Sequence, residues 1–330
     1  MATPGEEHTM ERLLGAATAA MMGVLLVLAA GPARAIDDLK VMAPASPGGG
    51  YDRTARAVQQ ALEQAGLARG VTVSNVPGAA GAIGLAQFIR SYRGDGSSMI
   101  VGGFGMVASF LTNKSAVTLD DVTPIARLTG EVSLVVVPAA SPIRSLNDLV
   151  AKLKADPGGV AWAGGSAGGT DHIVAGMIAK AVGVDPRKVN YVAFSGGGDS
   201  LAALVGNQVA AGVGGYSELI EQVKAGTLRT LALTAEARVP GVDIPTLKEQ
   251  GVDVTLVNWR GIAAPPGISG AQRQAYLDMI DRMARSEAWK AQLAKNGWAD
   301  AYLAGDRFAR YIEAERDRIA AVLKDLGLLS

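Results

Sequence analysis

An α/β fold of two lobes facing each other across a ligand cleft is predicted by three observations. Short apolar runs of strand length lead repeatedly into glycine-rich loops, and the loops lead into helical patterns. The same order of strand, loop and helix returns in the second half of the chain. The length, 330 residues, suits about two domains of ordinary size.

The first unit opens with an apolar run over residues 39–43, followed by Pro47-Gly48-Gly49-Gly50-Tyr51-Asp52. Val58, Ala61, Leu62 and Ala65 then recur at helical spacing. Three successive glycines let a ligand approach the main chain closely. The free N–H groups of the next helix's first turn point back into that loop, and with the helix dipole they form a site for an anion. A tight strand-to-helix turn alone would account for the same glycines. The motif then recurs. Residues 71–75 alternate as a strand, and Pro77-Gly78-Ala79-Ala80-Gly81 leads into a helical register at Ile83, Gln87, Ile89 and Arg90. Two such turns lie side by side at the carboxyl edge of one parallel sheet, where ligands of open α/β sheets bind.

Residues 98–101 read as a third strand ending in Gly102-Gly103-Phe104-Gly105. Residues 133–137 form another apolar strand, and 138–142 look like a crossing between lobes. Ser145 and Asp148 make a capping-box-like helix start. The second lobe repeats the pattern: a strand at 160–163, a loop Gly164-Gly165-Ser166-Ala167-Gly168-Gly169-Thr170-Asp171-His172, and a helix with Ile173, Val174, Met177, Ile178 and Ala181 on one face. A strand at 189–193, a loop Phe194-Ser195-Gly196-Gly197-Gly198-Asp199 and a helix at 201–205 follow. Residues 209–213 lead to Gly214-Gly215-Tyr216, and 228–233 form a further strand. The extended stretch 254–264, with Asn258-Trp259-Arg260-Gly261, reads as the return crossing, and the tail is helical. The expected limits are 36–137 and 258–330 for the first lobe and 138–257 for the second, with a hinge at 137–139 and 257–260.

Charge is balanced at 31 basic and 31 acidic residues, which argues against nucleic acid or an anionic membrane surface as the main partner. There is no Gly-Lys-Ser/Thr phosphate loop, and Gly103-Phe104-Gly105 lacks the acidic partner of a dinucleotide fingerprint. No cysteine is present, and one histidine beyond residue 35 leaves only carboxylates for a metal, so no cofactor or metal is expected.

Residues 13–30 are apolar, Gly31-Pro32 breaks the run, and Ala33-Arg34-Ala35 has the small-x-small form of a signal-peptidase site. Residues 1–35 are therefore expected to be a signal peptide, cleaved after Ala35, placing the protein in the periplasm. Glu6, Glu7 and Glu11 outnumber Arg12 in its first segment; a start at Met10 would leave a Met-Glu-Arg head. A retained anchor is the alternative. Without residues 1–35 the chain carries 29 basic against 28 acidic groups.

Five segments, in order and at similar spacing, resemble the periplasmic receptors of tripartite tricarboxylate transporters, the TctC or Bug family. They are Pro47-Gly48-Gly49-Gly50-Tyr51-Asp52, Pro77-Gly78-Ala79-Ala80-Gly81, Gly169-Thr170 with His172, Phe194-Ser195-Gly196-Gly197, and Trp259-Arg260-Gly261 with Ala264-Pro265-Pro266-Gly267. The resemblance implies a type II periplasmic-binding fold closing on a small carboxylate. It also implies that the first two loops hold a carboxylate through main-chain groups and water, and that the second lobe selects the remainder. Asp199-Ser200 and Arg260 depart from many relatives. The Trp-Arg-Gly form, together with Gly-Gly-Gly-Tyr-Asp, looks closer to the tricarboxylate branch than to the amino-acid or nicotinate binders. An added guanidinium suits a further carboxylate, so a di- or tricarboxylate such as citrate is expected.

The expected ligand-binding set is Gly48, Gly49, Gly50, Tyr51, Asp52, Gly78, Ala80, Gly81, Phe104, Ser166, Gly169, Thr170, His172, Phe194, Gly196, Gly197, Asp199, Tyr216, Trp259 and Arg260. Bland readings stand beside several of these. Asp52 suits a helix N-terminus without any ligand. Thr170 suits an N-cap. His172 reads first as a structural hydrogen-bonding residue, and Phe194, Tyr216 and Trp259 as core. The function expected is capture of a carboxylate by a monomer and its delivery to the integral membrane subunits of the transporter. A binding protein feeding a sensor kinase is the alternative. A hydrolase built on Ser166, Asp171 and His172 is a third reading, and no Gly-x-Ser-x-Gly elbow supports it.

Overall fold

The computed structural model describes residues 36–195, 197–239 and 241–329. The expected signal peptide, and Gly196 of the expected site, lie outside the described residues. The strands are β1 (Ile36–Asp37), β2 (Lys40–Ala43), β3 (Ala68–Arg69), β4 (Thr72–Asn75), β5 (Ser98–Gly103), β6 (Thr123–Pro138), β7 (Ala161–Gly164), β8 (Asn190–Ala193), β9 (Ala211–Gly215), β10 (Leu228–Leu233), β11 (Val257–Ala264) and β12 (Ala299–Ala304). The helices are α1 (Gly50–Gln64), α2 (Ala82–Ser91), α3 (Phe104–Thr112), α4 (Leu146–Ala155), α5 (Thr170–Ala181), α6 (Gly197–Val205), α7 (Tyr216–Lys224), α8 (Gly270–Arg285), α9 (Glu287–Asn296) and α10 (Asp306–Asp325).

Two lobes share one strand. The strand order is β4-β2-β5-β11-β6-β9-β7-β8, with β10 and β12 also pairing to β6. β2, β4 and β5 are parallel, as are β7, β8 and β9. The inner strands β2, β5, β7 and β9 are buried on both faces, whereas the edge strands β4 and β8 stay partly exposed. β6 pairs with β11 and β12 through its first half and with β9 and β10 through its second. Its partner changes between Val132, opposite Val257, and Ser133, opposite Gly215. The first crossing thus falls ahead of residues 137–139, where the sequence places it. Residues 133–137 already belong to the second sheet, because their backbone bonds go to β9 and β10.

Cores form on both sides of this strand. Leu39, Val41, Val58, Leu62 and Met99 pack with Tyr276, Ile280 and Trp289 from α8 and α9. Leu134, Val136, Ala163, Leu204 and Leu219 pack in the second lobe. The Tyr276 hydroxyl locks this packing, donating to Ser98 O at 2.9 Å and accepting from Ser98 N at 2.8 Å.

Helix starts separate into two kinds. α4, α8 and α9 are capped by the hydroxyls of Ser145, Ser269 and Ser286. α1, α2, α3, α5 and α7 begin after Gly49, Gly81, Gly103, Gly169 and Gly215, with no side-chain cap. Gly305 before α10 is also uncapped.

Candidate ligand-binding site

The five uncapped starts converge on one cavity of about 550 Å³ between the lobes. Its size is that of an ordinary small-molecule site. Free first-turn N–H groups and the positive ends of helix dipoles favour an anion there. The rims meet over it. A carbon added at Gly49 would stand 3.5 Å from Gly197 N, and one at Gly198 would stand 3.3 Å from Pro47 O. Asn113, just past the end of α3, donates across to Ala167 O at 3.4 Å.

The first loop is fixed from behind. Gly48 takes φ +83°, and its N–H donates to Asp52 Oδ2 at 2.9 Å. Asp52 also accepts from Arg56 Nε and from Asn75 Nδ2, each at 3.0 Å, and Asn75 donates to Ala45 O. Burial alone would raise the Asp52 carboxyl. The bonds from Arg56, Gly48 and Asn75 outweigh it and hold the group below the usual range. The second loop has positive φ at four consecutive residues, from Gly78 through Ala79 and Ala80 to Gly81. For the two alanines this backbone costs about 1–2 kcal/mol each, strain of a kind that collects at ligand sites.

At the hinge end stands a charged cluster. Arg260, 3 % exposed, donates from Nη1 to the fully buried Glu131 Oε2. Glu131 Oε1 accepts from Ser217 N at 2.7 Å, at the start of α7. Glu218 lies 3.7 Å from Arg260 Nη2. Asp171 Oδ2 accepts from Gly165 N at 2.8 Å. Burial pushes Glu218 up to about 8 and Asp171 up to about 6. Burial would lower Arg260, but Glu131 and Glu218 outweigh it and hold it above its ordinary value. Burial likewise raises the Tyr51 hydroxyl to about 12. Glycines make room for the cluster. A side-chain carbon at Gly50 would collide with the Arg260 guanidinium, at Gly197 with Glu218, and at Gly215 with Glu131.

Of the expected residues, Gly49, Gly50, Tyr51, Gly78, Ala80, Gly81, Ser166, Gly169, Thr170, Phe194, Gly197 and Arg260 line this cavity. Others are placed elsewhere. Gly48 and Asp52 sit behind the loop they order. Trp259 is buried on the opposite face of β11 from Arg260, as strand alternation requires. Its indole N–H donates to Glu315 Oε2 at 2.9 Å, and its ring meets Phe308 and Tyr311 edge-on. Phe104 is core, with the Arg318 guanidinium 5.6 Å from its ring centre. His172 Nδ1 accepts from Gly168 N at 3.0 Å, and the ring stacks on Tyr191 with centres 4.3 Å apart. Tyr216 packs beside Gly297, and Asp199 is exposed on α6.

Sequence reasoning missed Glu218, Asp171, Asn258, Ser109 and Asn113 in the wall, and Glu131 behind it. Three of these carried a signal. Asn258 shares the Arg260 face of β11 by strand alternation, and Gly105, Ser109 and Asn113 recur every four residues along α3.

The chain matches the sequence model described as the tripartite tricarboxylate transporter family receptor over residues 54–328. This chain belongs to that family. The receptor is 27% identical over 303 residues to protein BugT of Bordetella pertussis, covering 90% of each chain. Its fold is that of the periplasmic binding protein BugD, at TM-score 0.80 and 20% identity, over 89% of this chain and 98% of that one. MatC of Rhodopseudomonas palustris, solved with bound malate, superposes at TM-score 0.77 and 23% identity, over 87% and 99% of the two chains. The family is one of periplasmic solute-binding receptors with this two-lobed fold. Among the described residues no helix is long and apolar enough to cross a membrane.

Proposed function

We propose that this receptor captures a small carboxylate between its lobes in the periplasm and delivers it, as a monomer, to the integral membrane subunits of a tripartite tricarboxylate transporter. The observation that carries this reading is the convergence on one cavity of five helix starts whose N-cap residues have no capping side chain; Glu131 takes the Ser217 N–H at α7, and the other four starts present main-chain N–H donors and positive dipole ends to an anion. The ligand carboxylate docks on the loops at Gly49–Tyr51 and Gly78–Gly81, and Ser166, Thr170 and Phe194 of the other lobe close on the remainder. The lobes move about crossings at residues 132–133 and 256–257, and closure is favoured by the contacts that the ligand adds in the closed state. The site binds and releases its ligand.

The expectation of a di- or tricarboxylate such as citrate rested on a resemblance to the tricarboxylate branch and on Arg260 as a free guanidinium. That guanidinium is spent on Glu131, with Glu218 close by, so this support is withdrawn. Thermal unfolding against citrate, malate, succinate, glutamate, nicotinate and aromatic acids tests the carboxylate reading. A ligand at one hundred times its Kd adds about 2.7 kcal/mol of stability. Silence from the whole panel, after unfolding and refolding to shed carried-over ligand, would sink it.

A further inference from the structure

We infer that Glu218 supplies the proton of a hydrogen bond to the bound carboxylate, so that capture is tight at neutral pH and weakens in alkaline medium. This rests on the carboxylate-receptor reading and adds to it a residue that sets affinity and a proton taken up with the ligand.

Glu218 stands where the charged cluster meets the first glycine loop. It lines the cavity from the first turn of α7, with its side chain 11 % exposed. Its Oε1 is 3.7 Å from Arg260 Nη2, the nitrogen that a carbon added at Gly50 would strike. Its Oε2 is the atom that a carbon added at Gly197 would strike, and Gly197 N in turn lies 3.5 Å from a carbon added at Gly49. The carboxyl is thus beside the Gly49–Gly50 loop on which the ligand carboxylate docks. Two charged carboxylates repel each other in such a corner. A carboxylic acid and a carboxylate do not: the acid donates its O–H, and an O–H···O⁻ bond is short and strong.

The surroundings keep this acid neutral. Arg260 of β11 spends its hydrogen bond on Glu131 of β6, and Glu131 also takes the Ser217 N–H at the start of α7. The nearest cation and the nearest main-chain donor are therefore both engaged, and among the described residues none donates to Glu218. Asp171 of α5 is a further buried acid close by, accepting from Gly165 N. Arg53 of α1, whose Nε donates to Gly48 O, favours the charged form, as do Arg260 and the first turn of α6 at Gly197. Burial opposes them, with Glu131 and Asp171 on its side, and prevails, raising the carboxyl to about 8. Asp171, at about 6, and Tyr51, at about 12, lie on either side, so of these three Glu218 is the group that changes charge between pH 7 and 9. Protonated, it is a donor; ionised, it only accepts and repels the ligand.

Calorimetry on the refolded protein at pH 7 and pH 9 tests this, with malate, succinate and nicotinate as probes because their charge is constant above neutrality. For a carboxyl that titrates near 8, affinity should fall about tenfold between the two conditions. Titration in two buffers of different ionisation enthalpy should show about one proton taken up per ligand at pH 9. Both measurements use the wild-type chain and need no variant to fold. Glu218→Ala should lose about tenfold or more at pH 7, the scale of a hydrogen bond to a charged group. Glu218→Gln, whose amide N–H donates from the same place, should recover most of that loss and show no alkaline fall. Equal affinity at pH 7 and pH 9 for every acid that binds, an alkaline fall that persists in Glu218→Gln, or full affinity in Glu218→Ala overturns the inference and leaves the carboxylate reading standing. No binding of any acid of the thermal-unfolding panel at pH 7 overturns both.

Discussion

Arg260 and Glu131 form a buried ion pair at the place where β6 leaves one sheet for the other. The guanidinium lies between a strand of one lobe and the first turn of α7 in the other, because Glu131 also accepts from Ser217 N. The pair joins the hinge to the cavity wall.

Removing one member leaves the other charged and unpaired in the interior. Glu131→Ala should cost about 3–5 kcal/mol of stability. Urea unfolding measures this, and a change below about 1 kcal/mol would mean that Arg260 finds another partner.

Gly50 and Gly270 each open a helix, and alanine at the two positions should act with opposite sign. Nothing lies within 4 Å of a carbon added at Gly270, so Gly270→Ala should be neutral or stabilise by up to about 1 kcal/mol. At Gly50 the same carbon meets the pinned Arg260 guanidinium, and Gly50→Ala should cost about 1–3 kcal/mol. Denaturation of the two variants side by side distinguishes a glycine that packing requires from one that it does not.

The ligand-free protein should lose stability as pH rises through neutrality. Glu218, raised by burial from 4.5 to about 8, holds a proton more readily when folded than when unfolded. Its contribution is complete below pH 4.5 and is lost as pH climbs through about 8. Asp171, raised by burial from 3.8 to about 6, adds a slope of the same sign at lower pH. Asp52 acts oppositely: its carboxyl is held down, so its contribution is lost as pH falls through that lowered value. Melting curves from pH 5 to 9 should show the alkaline loss, and Glu218→Gln should flatten its upper part.

Trp259 is expected to matter for stability and not for ligand contact. Trp259→Ala should cost about 3–5 kcal/mol through the cavity it leaves. Trp259→Phe, keeping a ring against Phe308 and Tyr311, should fold with ligand affinity unchanged. Glu315 keeps its bonds from Arg318 in that variant. A large loss of affinity in Trp259→Phe would return this residue to the site.

The strand ends were legible because glycine-rich loops between apolar runs leave a local trace, and most cavity-lining glycines were found that way. The acid cluster left none. Glu131 follows Gly130 in a stretch with Pro124 and Arg127, which reads as irregular and charged, and its meaning comes from Arg260, 129 positions away. The first half of β6 was missed for the same reason. α3 escaped notice because it is almost wholly apolar and buried, with Ser109 and Thr112 its only polar side chains. Trp259 and Arg260 were assigned together, although neighbours on a strand face opposite ways.

β11 sits between β5 and β6 although it is made more than a hundred residues after either. Until Ala264 has left the ribosome, β5 and β6 have no strand between them, and each carries an open row of peptide groups. The amino-terminal lobe therefore cannot finish folding as it is made; it must wait for its last central strand. Such long-range pairing slows folding. A chain that stays incomplete until most of it has been synthesised remains threadable for longer.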